Sequence, residues 1–161
     1  MTWIAPTLWH LLGLARDEPP PRSRGSRPTQ RRYDDLVREM KRTYGVRVRK
    51  WRQSTSGCAW VVRYDDGNQS RLIEAPYPRG PVSCAVFLHE IGHHAIGWHT
   101  HRLRCVEEYA AWCWALDEMR ARGLNVTASV EKRVAESLRY AVSKARRRGL
   151  KSIPPELLQY A

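Results

Sequence analysis

Residues 87–94 read "FLHEIGHH". Two histidines flank a glutamate at the spacing His-Glu-x-x-His: His89, Glu90 and His93. Residues four apart on an α-helix share a face, because a turn takes about 3.6 residues. On a helix, His89 and His93 therefore present two imidazoles side by side, at a separation that a tetrahedral zinc accepts. Glu90 sits one step round. From there it reaches water at the metal without ligating, takes a proton and passes it to a leaving amine. These residue types in this order are what metal-assisted hydrolysis of a peptide bond needs. Val86, Phe87, Leu88, Ile91 and Ile96 surround them, so the helix is expected to be buried.

A hydrolytic zinc wants a third protein ligand and one open position. Glu108, in "VEEYAAWCWAL" (106–116), is the preferred third ligand. Trp112, Ala115 and Met119 follow it at helical spacing, so one face of that helix is expected to turn toward the motif. A connection of 14 residues separates His93 from Glu108, enough to lay two helices antiparallel. Glu107 and His99 stay open as alternatives. His99 lies ten residues after His89, as in the pattern HExxHxxGxxH, but Ile96 stands where that pattern has glycine. His94 and His101 are read as supporting or surface residues. Tyr77, His99 and Tyr109 are candidates for stabilising an oxyanion.

Outward from the motif, periodicity sets the elements. "YDDLVREMKRTY" (33–44) puts Leu36, Val37, Met40 and Tyr44 on one helical face, and Gly45 ends it. "VRVRKW" (46–51), "AWVVRYD" (59–65) and "RLIEA" (71–75) read as three strands of a small antiparallel meander. "PYPRGP" (76–81) leads into the motif helix, expected over 82–97. Helices over 103–122 and from Thr127 or Ser129 to Arg148 follow, ending at Gly123 and Gly149. "SIPPELLQYA" closes the chain as a turn and a short helix or tail. The expected organisation is a leading segment, 1–32, and a catalytic domain, 33–161. "LWHLLGLA" (8–15) reads as a short helix, and "DEPPPRSRGSRPTQRR" (17–32) is too polar to order itself and reads as a flexible basic linker.

Lys and Arg outnumber Asp and Glu by 28 to 16, a net charge of +12, which favours acidic partners and nucleic acid above all. Between Glu131 and Lys151 there are eight Lys or Arg against two Glu, and "KARRRGLK" (144–151) is dense enough to hold phosphates. Contact of that kind would ignore base sequence. Val130, Val134, Leu138, Ala141, Val142 and Ala145 form the buried stripe of the same helix. Cys58, Cys84, Cys105 and Cys113 form no CxxC pair, so a zinc ribbon is not expected. No stretch is long and apolar enough for a membrane helix, and no secretory signal is read, so a cytoplasmic protein with free thiols is expected.

"HEIGHH" followed by an acidic, Ala- and aromatic-rich helix resembles the ImmA/IrrE family of zinc metallopeptidases, a gluzincin-type group, over roughly residues 46–120. The small sheet and "APYPRGP" before the motif helix also suit it. The resemblance implies an α+β fold, with a small antiparallel sheet packed on a zincin-type helical core. It implies zinc held by His89, His93 and Glu108, with Glu90 catalytic. It further implies a protein substrate such as a DNA-bound repressor of a phage or other mobile element. The chain departs from the family in lacking a recognisable helix-turn-helix. Two other readings stand beside it. One is a nucleic-acid-binding or adaptor protein with a structural zinc, closed by Cys105 or His99 as a fourth ligand. Glu90 argues against it, since a structural site has no use for that carboxylate. The other is a SprT-like protease of DNA–protein crosslinks, which fits the charge.

Overall fold

The computed structural model describes residues 28–161, and the expected helix in "LWHLLGLA" and the linker before residue 28 lie outside them. Helix α1 spans Pro28–Tyr44. It starts within the segment read as linker. Proline fits the first helical position, where no N–H is needed. Polar side chains then do what apolar ones do elsewhere: Gln30 donates to Asp34 and to the Pro78 carbonyl, and Arg32 donates to the carbonyls of Arg122 and Gly123. Tyr33, Leu36, Val37 and Met40 are buried at helical spacing. Gly45 ends the helix at φ 60°, a conformation glycine adopts without strain.

Three strands follow, β1 (Val46–Arg52), β2 (Cys58–Arg63) and β3 (Gln69–Pro76), in the spatial order β1-β3-β2. The sheet is mixed, which corrects the expected antiparallel meander. β2 pairs antiparallel with β3, but β1 runs parallel to β3 with Val48 opposite Ile73 and Trp51 opposite Ala75. Burial explains the order. Ile73, Glu74, Ala75 and Pro76 are all buried, so β3 takes the centre, whereas no residue of β2 is fully buried and it takes an edge. Glu74 tolerates the centre because β1 supplies its partners: Arg49 and Arg52 each reach a carboxylate oxygen at 2.9 Å. Arg52 also donates to Ser56 and Cys58, tying down the loop that carries the chain from β1 past β3 to β2.

Helix α2, Pro81–Ala95, carries the motif. Pro81 opens it, and Ser83 Oγ accepts from the backbone N–H groups of Arg79 and Gly80. Every residue from Cys84 to His94 is buried, so α2 is apolar-packed on all sides and forms the axis of the molecule. It touches α1, β2, β3 and both later helices, α3 (Arg104–Ala121) and α4 (Ala128–Arg147). Thr127 caps α4 by accepting from Val130 N–H, and Val130, Val134, Leu138 and Val142 bury its inner stripe. A 3₁₀ turn, Pro155–Tyr160, seats Leu157 against α4. The fold is α+β, with helices gathered on a three-stranded sheet. Among the described residues, no helix is long and apolar enough to cross a membrane.

Candidate functional site

The crossing of α2 and α3 positions the site. A Cβ on Gly92 would come within 2.9 Å of the Ala111 carbonyl oxygen, so only glycine lets the two backbones lie this close. One turn before Ala111, α3 then hangs Glu108 over the histidines. Glu108 Oε2 lies 3.2 Å from His89 Nε2 and 3.6 Å from His93 Nε2. The ligand atoms offered by His89, His93 and Glu108 all lie within 4.8 Å of one another.

Aromatic rings hold the imidazoles in place. His89 stacks on Trp112 with centroids 4.1 Å apart and planes 18° apart. His93 lies parallel to Trp98 at 5.5 Å, and the Arg104 guanidinium sits over the same indole. Arg104 also pairs with both neighbouring carboxylates, Glu108 Oε1 at 2.9 Å and Glu107 Oε1. Glu107 is fully buried, and its Oε1 lies 4.0 Å from His93 Nδ1, on the far side of the ring from Glu108. So the adjacent glutamates divide the surroundings of His93: Glu108 faces Nε2 and Glu107 faces Nδ1.

Burial sets the charge states. It pushes His89 down to about 4, against the opposing pull of Glu108, so the ring is neutral at pH 7. Burial alone would raise Glu108, but the His89 and His93 imidazoles set against its Oε2 outweigh it and hold this carboxyl well below the usual range. Burial pushes Glu90 up to about 8, with the Glu108 charge adding to the effect. A neutral imidazole and a charged carboxylate are the forms in which such side chains ligate a metal.

Glu90 is buried beside the loop before β2. A Cβ on Gly57 would fall 2.4 Å from Glu90 Oε1, so the absence of a side chain there gives the carboxylate its place. Arg133, from α4, donates to the Thr55 carbonyl at 3.0 and 3.2 Å and so ties this loop down from above. His89, Glu90, His93, Glu108 and Trp112 all open on one cavity of about 830 Å³, walled by the start of β2, the start of α3 and one face of α4.

The other expected residues lie elsewhere. His99 is exposed, at φ 59°, and does not join the cluster. Tyr77 donates to Asp34 at 2.8 Å, and neither Tyr77 nor Tyr109 lines the cavity that holds the histidines. His94 is a buried strut: Nε2 donates to the Leu72 carbonyl and Nδ1 accepts from Trp98. Cys105 is buried on the cavity wall. Sequence reasoning missed Gly57, Trp98, Arg104 and Arg133. Only Arg104 carried a local signal, lying three and four residues before two glutamates on one helix.

The His89–His93–Glu108 group could hold a metal ion. With metal–ligand bonds of roughly 2.0–2.1 Å a tetrahedron has edges of about 3.3 Å; the two Nε2-to-Oε2 separations, 3.2 and 3.6 Å, are close to that, and the group as a whole spans up to 4.8 Å, so the two imidazoles would draw together around an ion. Comparison of the chain with protein-family models, with curated proteins and with solved structures finds no match.

Proposed function

We propose that the chain is a zinc-dependent metalloendopeptidase of the ImmA/IrrE type. The observation that carries the reading is the convergence of His89 Nε2 and His93 Nε2 on one oxygen of Glu108, with Glu90 buried in the same cavity. His89, His93 and Glu108 would hold the metal. Bound there, zinc supplies Lewis acidity toward the scissile carbonyl and toward the attacking water. Glu90 takes the proton from that water and returns it to the departing amine. Burial raises its pKa and a cation held beside it would draw it back down, so the carboxylate is poised to take a proton and to give it up. Trp112 and Trp98 fix the imidazole planes, and Glu107 stands 4.0 Å behind His93 Nδ1, beyond hydrogen-bond reach but on the side from which a carboxylate can orient a ligating histidine.

A polypeptide fits the cavity as substrate. Cys58 and Ala59 of β2 line it, and β2 pairs with β3 alone among the described strands. Its other edge offers backbone donors and acceptors to an extended chain. Purified protein should carry about one zinc and should hydrolyse proteins in a mixed extract. A chelator should stop hydrolysis and added zinc restore it. Zinc bound without any hydrolysis would favour the structural-zinc alternative.

Gly57 gives a second handle. In Gly57→Ala the new Cβ would meet Glu90 Oε1, Cγ and Cδ at 2.4, 2.6 and 2.7 Å, so the whole Glu90 side chain must shift, while His89, His93 and Glu108 are untouched and should keep the metal. Glu90 then leaves its working position, and displacement of a catalytic group by about 1 Å costs on the order of 10²-fold. Steady-state kinetics should show kcat falling by roughly that factor. Unchanged kcat would mean that Glu90 does not work from the position seen here.

A further inference from the structure

The wall of the cavity formed by α4 carries a charge pattern that hydrolysis itself does not require. Arg133, Glu136, Tyr140, Lys144 and Arg148 all line it, with Arg102 on the opposite side. Arg133 bonds to neutral acceptors, the Thr55 carbonyl and Ser137 Oγ, and Lys144 lies over the Tyr140 ring. Among the described residues, no carboxylate forms an ion pair with Arg102, Arg133, Lys144 or Arg148. Tyr140 is one of the few large apolar side chains left exposed, at 62%. From Arg133 to Arg148 the helix rises about 22 Å at 1.5 Å per residue. An extended peptide covers that distance in about seven residues.

We propose that the cleft selects polypeptides with acidic side chains on one side of the bond to be cut, bound by Arg133, Lys144 and Arg148 along α4. This deepens the peptidase reading and rests on it. Charge distribution favours a polypeptide over nucleic acid. Glu136 stands on the same wall, between Arg133 and Lys144 in sequence. A nucleic-acid strand carries a phosphate at every step and would set one against this carboxylate. A peptide lays a neutral amide over it and places acidic groups only where cations stand. Tyr140 adds a ring for an apolar neighbour. Arg133 reaches the loop over Glu90, so the first acidic position lies near the scissile bond and the others farther along α4.

The test uses the full chain carrying Glu90→Gln, with zinc added, and reads binding alone. The probes are a labelled extended peptide bearing aspartates and its asparagine twin. The aspartate peptide should bind about tenfold more tightly, with a preference that shrinks as salt rises. Adding Lys144→Ala and Arg148→Ala should bring the two peptides close to parity. Both side chains are exposed, so their loss leaves the fold intact. Equal affinity in the parent, or a preference that survives in the double variant, overturns the proposal. Labelled single-stranded DNA that binds more tightly than the aspartate peptide through these two residues also overturns it and assigns the groove to nucleic acid. Equal hydrolysis of both twins by the unaltered chain keeps the peptidase and overturns the groove. Acidic preference with no hydrolysis keeps the groove and removes the peptidase.

Discussion

Glu90→Gln should retain zinc and fold while losing hydrolysis by about 10²–10⁴-fold. The substitution keeps shape and removes only the ability to accept a proton. Stability should not suffer. Glu90 is 4% exposed and burial already disfavours its charge, so a neutral amide of equal size suits the site at least as well. Elemental analysis, thermal unfolding and a hydrolysis assay on the same preparation separate the possible roles. Full activity in the variant would remove Glu90 from the chemistry. Loss of zinc would make it a ligand and displace Glu108 from that role.

Trp112→Ala should cost about 3–5 kcal/mol of stability, the range for truncating a large buried aromatic side chain. Trp112 is 2% exposed and stacks on the His89 ring, while its Nε1 has no hydrogen-bond partner among the described residues. Removing it opens a cavity in the core and frees the ring to rotate away from Glu108. Zinc affinity should fall with stability. Trp112→Phe should cost far less, because the stacked ring stays and an unpartnered buried donor disappears. Urea unfolding with and without zinc measures both effects. If Ala at this position unfolded at the same urea concentration as the unaltered chain, Trp112 would not be the floor of the site.

Local patterns made the helices readable, and long-range partners hid the rest. Spacing alone puts His89 and His93 on one face, and the phase of Glu108 with Trp112 and Ala115 turns it toward them; the structure brings these residues together. Glycines at 45, 97, 123 and 149 all lie at positive φ just past helices, as helix-ending glycines do. The strands were legible as strands because alternation marks them. Their order was not, since a period of two says nothing about which neighbour pairs. β3 takes the centre because its second half is buried, and it can do so only because Arg49 and Arg52, far back in the chain, neutralise Glu74. Gly57 carries no signal in the sequence. Its role depends on Glu90 lying against it, a contact between segments more than thirty positions apart. Arg133 counts in the sequence only as one of eight basic residues between Glu131 and Lys151, but its hydrogen bond to Thr55 spans 78 positions. The helix start at Pro28 escaped notice because its contacts are polar, whereas a composition argument weighs apolar residues.

Zinc K-edge X-ray absorption on the metal-loaded protein separates a working site from a structural one. Two histidines, one glutamate and an open position predict a first shell of nitrogen and oxygen alone, at about 2.0–2.2 Å, with one ligand exchangeable with solvent. Cys58 and Cys105 line the same cavity, so a sulfur ligand is within reach of the alternative. A sulfur scatterer at about 2.3 Å, or a shell closed by four protein ligands, would contradict the peptidase site and leave zinc as a structural clamp.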